Sequence, residues 1–259
     1  MPDDGSFRRL NALVSSLEIT PQSASTNAQL VARAAGPAGA LPHLTVLLTR
    51  DQTGGRGRLD RSWVAGPGRA LAVSVLVRVD DVAPAARGWI PLVAGAAMTR
   101  AVAAQLPQQT VRMKWPNDVL VDGRKICGIL AEVVPGDPGA VVIGSGVNTT
   151  MPADELPVPT ATSFAVLGAV ADEDALLSDY VRELDRALRD LAADGGAPAE
   201  LRTAVETVCA TIGLDVRVSL PDGSAVVGRA VRLDEDGRLV VASDSGERSL
   251  SAGDVVHVR

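Results

Sequence analysis

Apolar positions recur along this chain with two different periods. At the start, Phe7, Leu10, Leu13, Val14 and Leu17 follow a helical spacing and predict a short amphipathic helix. "SASTNAQLVARAA" reads as a second helix start, because Ser25, Thr26 or Asn27 can cap the turn before Leu30 and Val31. Beyond it the period shortens. "LTVLLT", "ALAVSVLV", "TVRMKW", "DVLVDG", "ICGILAEVV" and "AVVIGSGVN" are rich in β-branched and leucine residues and are separated by turn residues, which predicts six strands. One helix, "WIPLVAGAAMTRAVAAQL", interrupts them, and two more are predicted over 172–192 and 199–210. In the first of these two, Leu176, Leu177, Tyr180, Val181, Leu184, Leu188 and Leu191 define one buried face. "GDPG" reads as a hairpin turn and "MPADELPVPTATS" as a surface loop.

From Leu214 onward five short strands follow at tight spacing, which predicts a small all-β barrel too small to be very stable without docking. The reading is α+β, with one domain over 1–211 and a second over 212–259.

Composition narrows the class. With 259 residues, 46% hydrophobic and 22% charged, the chain is long enough to bury a substantial core. A formal charge of −6 argues against a general nucleic-acid coat. Cys127 and Cys209 have no metal spacing and suit a reducing compartment. The apolar runs fall short of the roughly 20 residues that span a bilayer, and "MPDDGSFRRL" carries no signal core. A cytoplasmic protein without membrane association is the expectation.

Three stretches break the strand pattern in ways that packing does not require: "STN" at 25–27, "QTGGRGRLDRSW" at 52–63, and "KWPND" at 114–118 with its sequel "RKICGILAE". Each has a bland reading. Ser25 and Thr26 can be a helix cap, the arginines a solvated face, "PND" a turn, and Lys125 a surface lysine. The middle stretch is odd in an acidic protein, because Arg56, Arg58 and Arg61 alternate with Gly54, Gly55 and Gly57. A cationic glycine-rich loop suits an anion that the backbone must approach closely.

In this order and spacing the stretches resemble the biotin protein ligases, the holocarboxylase synthetases of bacterial type. The family pattern is Ser-Thr-Asn, an arginine-glycine loop with Gln before it and Trp after it, Lys-Trp-Pro-Asn-Asp, Lys followed by Gly-Ile-Leu and Glu, and Gly-x-Asn ending a strand. Here these are Ser25 to Asn27, Gln52 to Trp63, Lys114 to Asp118, Lys125 with Gly128 to Glu132, and Gly146 to Asn148.

The resemblance implies a class II synthetase-like catalytic domain, a mixed sheet with flanking helices, followed by the small barrel. It implies an enzyme that activates biotin with ATP to biotinyl-5′-AMP and then acylates a lysine of the biotin carboxyl carrier domain of an acyl-CoA carboxylase, with magnesium as cofactor. Biotin contacts are implied for Ser25, Thr26, Asn27, Gln52, Arg56, Gly57, Arg58 and Lys125. Of these, Lys125, Arg56 and Arg58 would act on the carboxylate and phosphates. Arg61, Trp63, Lys114, Asn117 and Asn148 are implied on the ATP and adenylate side, with Asp118 as a metal or proton-accepting carboxylate. Glu132 and Cys127 are read as structural, from strand alternation and cysteine burial.

Asp60 departs from the family, which often has Gly there; an acid could pair with Arg58 or Arg61 and stiffen the loop. Only 24 residues precede Ser25, against the roughly 60 of a small operator-binding domain, so no DNA role is expected. A monomer or weak dimer is the expectation. The nearest rival is a lipoate or octanoate ligase or transferase of the same fold. A nucleotide hydrolase is disfavoured, because no phosphate-loop signature occurs.

Overall fold

The longest apolar runs of the sequence become the central strands of a seven-stranded sheet. The computed structural model describes residues 6–36, 41–58, 61–193 and 197–258. In chain order its elements are α1 (Arg8–Asn11), β1 (Ser16–Ile19), α2 (Thr26–Ala34), β2 (Thr45–Thr49), β3 (Gln52–Arg56), β4 (Ser62–Ala65), β5 (Ala70–Arg78), α3 (Ile90–Gln105), β6 (Val111–Lys114), β7 (Asp118–Val121), β8 (Arg124–Val134), β9 (Asp137–Asn148), α4 (Glu173–Ala193) and α5 (Ala199–Val208). β10 (Asp215–Ser219), β11 (Ala225–Leu233), β12 (Leu239–Ser243), β13 (Gly246–Leu250) and β14 (Asp254–His257) follow.

The large sheet has the order β1-β2-β5-β9-β8-β7-β6. β1 and β2 are parallel and the other pairs antiparallel, so the sheet is mixed. β5 and β9 lie between helices on both faces and are buried almost end to end, which is why they read as continuous apolar runs rather than as alternation. On one face Val73, Val75, Ile143 and Val147 join the core shared with α3 and α4. On the other, Leu47, Leu76 and Val142 meet Leu30 of α2 in a smaller cluster.

Two expectations change. The opening helix covers only 8–11, and 16–19 is a strand. Phe7 and Leu10 are buried as the helical period requires, but Leu17 and Ile19 are set by pairing with Val46 and Leu48 at the sheet edge. Tertiary pairing overrides a helical spacing that carries no cap. The second change concerns the glycine-rich stretch, which forms a two-stranded antiparallel hairpin, β3 with β4, rather than an unpaired loop. Asp60, with Leu59, lies outside the described residues.

The C-terminal strands form one antiparallel sheet, β13-β12-β11-β10-β14. Val216, Val218, Ala230, Leu239 and Val241 belong to the same continuous core as the large sheet's helical face. Trp89, fully buried before α3, donates its indole N–H to the Glu235 carbonyl at 2.8 Å. The Leu233 N–H reaches Glu206 of α5 at 2.8 Å. These contacts supply the docking that so small a sheet needs.

Candidate active site

The cleft follows from strand alternation on the α2 face of the large sheet. Successive side chains of a strand point to opposite faces. Ala72, Ser74 and Leu76 of β5 therefore share a face with Gly144 and Gly146 of β9 and with Gly128, Leu130 and Glu132 of β8. The registers align them: Ser74 opposite Gly144, Ala72 opposite Gly146, Gly128 opposite Gly146 and Leu130 opposite Gly144. Small residues at neighbouring positions leave a hollow where a sheet would ordinarily carry side chains. Asn27 from α2 and Trp63 from the hairpin occupy part of it: a Cβ on Gly144 would overlap Asn27 Oδ1, and one on Gly146 would lie 2.6 Å from the Trp63 ring. What remains is a solvent-accessible cleft.

One end of the cleft is a buried polar frame. Ser25 caps α2, its hydroxyl accepting from the Ala28 N–H at 3.3 Å, and the same residue lines the cleft. Gln52 Oε1 accepts from the Thr26 N–H at 2.9 Å and from the Thr26 hydroxyl at 3.2 Å. The Ser74 hydroxyl lies 2.8 Å from Thr26 Oγ1 and 2.9 Å from Asn27 Oδ1. It has one proton and cannot serve both acceptors. Both N–H bonds of the Asn27 amide are committed, to Glu132 Oε2 at 2.6 Å and to the Leu130 carbonyl at 3.3 Å. Asn27 Oδ1 is thereby fixed facing the cleft with acceptor capacity to spare, beside a Ser74 oxygen that can also accept. A ligand with adjacent N–H donors satisfies this frame, because buried polar groups are costly when unpaired.

The other end is cationic. Arg56, Gly57, Lys125 and Asn117 line it. Lys125 Nζ pairs with Asp118 Oδ1 at 2.6 Å and lies close over Gly128, where a Cβ would come within 3.1 Å of Nζ. Arg56 pairs with Glu132 Oε1 at 3.3 Å, so one carboxylate ties the polar frame to the hairpin. Arg58 is half-buried, and that burial pushes its pKa down against the opposing pull of Asp118 and Asp254. Its Nη1 donates to Asn117 Oδ1 at 3.1 Å, and Asn117 is held in turn by the Ile129 carbonyl at 2.9 Å.

Most of the expected residues thus converge. Ser25, Thr26, Asn27, Gln52, Arg56, Gly57, Trp63, Asn117 and Lys125 line one cleft, with Arg58 and Asp118 in direct contact with two of them. Three others lie outside this set. Lys114 lies near His257 of the C-terminal sheet, and its charge adds to the burial that lowers the His257 pKa. Asn148 is buried and donates to the Thr162 carbonyl at 2.9 Å. Arg61 reaches the C-terminal sheet at Asp254. Ser74, Glu132 and Asp254 were not singled out as site residues by sequence. A serine inside "ALAVSVLV" was the available signal for Ser74. A second unused signal is that Lys114 and Lys125 are the only lysines in the chain, although it has 25 basic residues.

Cys127, on the opposite face of β8, is fully buried, and desolvation pushes its thiol up to about 12. Thiolate is the reactive form, so native protein at pH 8 should show negligible alkylation of Cys127 by iodoacetamide over an hour. Denaturant should expose it to full modification, read by mass spectrometry. Rapid native labelling would show that the sheet opens.

Among the described residues no helix is long and apolar enough to cross a membrane.

Residues 23–148 match the biotin/lipoate A/B protein ligase family, and residues 211–258 match the biotin protein ligase C-terminal domain. The chain is 43% identical over 248 residues to the biotin–[acetyl-CoA-carboxylase] ligase of Mycobacterium tuberculosis, covering 94% of this chain and 89% of that one. It is 30% identical over 244 residues to the bifunctional ligase/repressor of Escherichia coli, covering 93% and 73%. The fold is shared with a biotin protein ligase from Aquifex aeolicus solved with biotin and ATP, at a TM-score of 0.77 and 22% identity over 95% of this chain and 99% of that one. Sequence, fold and both matched regions agree, and the chain belongs to the biotin protein ligase family.

Proposed function

We propose that this protein joins biotin to ATP, forming biotinyl-5′-AMP and pyrophosphate, and then passes the biotinyl group to a lysine of a biotin carboxyl carrier domain. The observation that carries the reading is the pairing, in one cleft, of a buried polar frame with spare acceptors and a cationic end formed by Lys125 and the arginine hairpin. A cyclic urea offers the frame its N–H groups and a carbonyl for the Ser25 and Thr26 side. A lipoyl dithiolane offers neither, so the lipoate reading would leave the acceptor capacity of Asn27 Oδ1 beyond its Ser74 contact unused.

In the first step a biotin carboxylate oxygen attacks the α-phosphorus and the bond to the pyrophosphate oxygen breaks. Both reactants are anions, so positive charge must be fixed beforehand. Lys125 stands where the polar frame gives way to the cationic end and would contact the carboxylate and then the bridging oxygen, its compact ammonium following the charge. Arg56 and Arg58 would hold phosphate oxygens, with Asn117 orienting Arg58. Trp63, lying over Gly146, would cover the adenylate. Arg61, Lys114 and Asn148 sit beyond the cleft lining and belong to this reading only as long-range or loop-ordering groups.

In the second step the carrier amine attacks the acyl carbon, AMP leaves, and a proton must be removed from the nitrogen. Asp118, held beside Lys125, is the carboxylate available to take it. Magnesium would enter with ATP, neutralising phosphate charge. Among the described residues no three His, Cys, Asp or Glu side chains cluster, so the triphosphate itself and at most Asp118 would hold the ion. The two-domain division near 211–214 fits this reading, with the catalytic cleft in the first domain.

Incubation with ATP, labelled biotin or labelled lipoate, and a biotin carrier domain tests the assignment. Biotin label on the carrier is the expected result, and lipoate label or none overturns it. A second expectation concerns Arg58. Arg58→Gly should form adenylate but lose it to solution, with stray labelling of lysine-rich bystander protein several-fold above wild type. A bystander is needed because the chain itself offers only two lysines. Labelling confined to the carrier would remove the retention role.

A further inference from the structure

The reaction as derived leaves unused the contact between the arginine hairpin and the C-terminal sheet. Arg61 forms an ion pair with Asp254 through Nη2 and Oδ2. Arg58 Nη1 reaches the Gly253 carbonyl at 3.4 Å while also donating to Asn117 Oδ1 at 3.1 Å. Both acceptors lie at the start of β14, and that point is rigidly placed. Asp254 is in register with Ser219 of β10, Val255 is buried, and no Cβ would fit between Gly253 and Val218. Arg58 therefore joins three parts of the protein: the hairpin, the large sheet through Asn117, and the C-terminal sheet through Gly253.

We propose that Asp254, with the carbonyl of Gly253, is a latch that holds the arginine hairpin shut over the cleft, which makes Asp254 a positioning residue for retention of the acyl-adenylate. The latch stands on the contacts alone; its role in retention rests on the reaction assigned above. Arg58 and Arg61 lie close enough to repel one another, and Arg58 is additionally disfavoured by burial. A fixed carboxylate between the hairpin and the sheet offsets that repulsion, which free solvent would otherwise relieve by opening the hairpin. It does so without entering the cleft, so the inward faces of Arg56 and Arg58 stay available to phosphate. The ion pair is half exposed on both sides, with side-chain exposures of 62% and 43%, so a contribution of a few-fold in the open–closed equilibrium is the expected size. It should also weaken with salt.

The test compares Asp254→Asn and Asp254→Glu with wild type in the full chain. Trypsin cleavage after Arg56, which pairs with Glu132 and not with Asp254, reports hairpin opening without any ligand. Asp254→Asn should be cut roughly three- to five-fold faster and Asp254→Glu at close to the wild-type rate, with unchanged thermal midpoints in both. High salt should raise wild-type cleavage more than that of the Asn variant, narrowing the gap between them. Equal cleavage of Asp254→Asn and wild type would overturn the latch, whatever reaction the protein performs. The retention role is read by adding ATP and labelled biotin and following release of labelled adenylate. Release should accelerate by a similar factor while the rate of adenylate formation changes less than about two-fold, a split that general destabilisation would not produce. Faster cleavage with unchanged release would overturn the retention role. Failure of wild type to form any adenylate would overturn the assigned reaction instead, and the cleavage result would still decide the latch.

Discussion

Lys125→Ala should lower the rate of adenylate formation by roughly 100- to 1000-fold while leaving the fold intact, the scale of losing one fixed charge donor to a developing anion. Among the described residues that line the cleft, the ammonium is the only cation carried by the large sheet: it belongs to β8 and is held over Gly128 by Asp118 at 2.6 Å. Arg56 and Arg58 belong to the hairpin and can withdraw with it. Removing Lys125 leaves Asp118 without its ion-pair partner, but Asp118 is partly exposed and can be hydrated, so the stability cost is small. ATP–pyrophosphate exchange in the presence of biotin gives the rate, and circular dichroism gives the fold. Exchange within a few-fold of wild type would remove Lys125 from the chemistry. A collapsed thermal midpoint would assign it to structure.

Gly144→Val should raise the KM for biotin by about 100-fold or more, with a smaller rise in that for ATP. The side chain would project into the hollow where Asn27 Oδ1 sits, and even a single Cβ overlaps it. Asn27 would have to leave, surrendering its bonds to Glu132 and Leu130 and the acceptor it offers to the cleft. Two lost or unsatisfied polar contacts at about 1–3 kcal/mol each account for the expected factor. Loss of the Asn27–Glu132 bond also frees the carboxylate that pairs with Arg56, so hairpin cleavage by trypsin should rise in the same variant. An unchanged biotin KM would mean that the polar frame is not the biotin subsite.

The sequence by itself determined the strand content of β2 and β5 to β9, the helices α2 to α5, and the five C-terminal strands, because each is written in local periodicity and turn residues. It also identified most of the cleft, since Ser25, Gln52, Arg56 and Lys125 stand in stretches whose chemistry packing does not need. What it could not supply depends on registers and on contacts distant in sequence. The strand at 16–19 is fixed by pairing with β2 rather than by its own residues, so a helical period there misled.

Glu132 reads as an ordinary strand position, and only the placement of α2 over β8 turns it into the carboxylate joining Asn27 to Arg56. Gly128, Gly144 and Gly146 mean little singly; the β5–β9–β8 register stacks them with Ser74 and Ala72 into one hollow. Asp254 lies 193 residues from Arg61, and no local pattern connects them. Local energetics are legible in a sequence because the interacting groups are neighbours in the chain. The electrostatic latch and the cavity are sums over groups that only the folded sheet brings within reach, so the tertiary structure alone decides them.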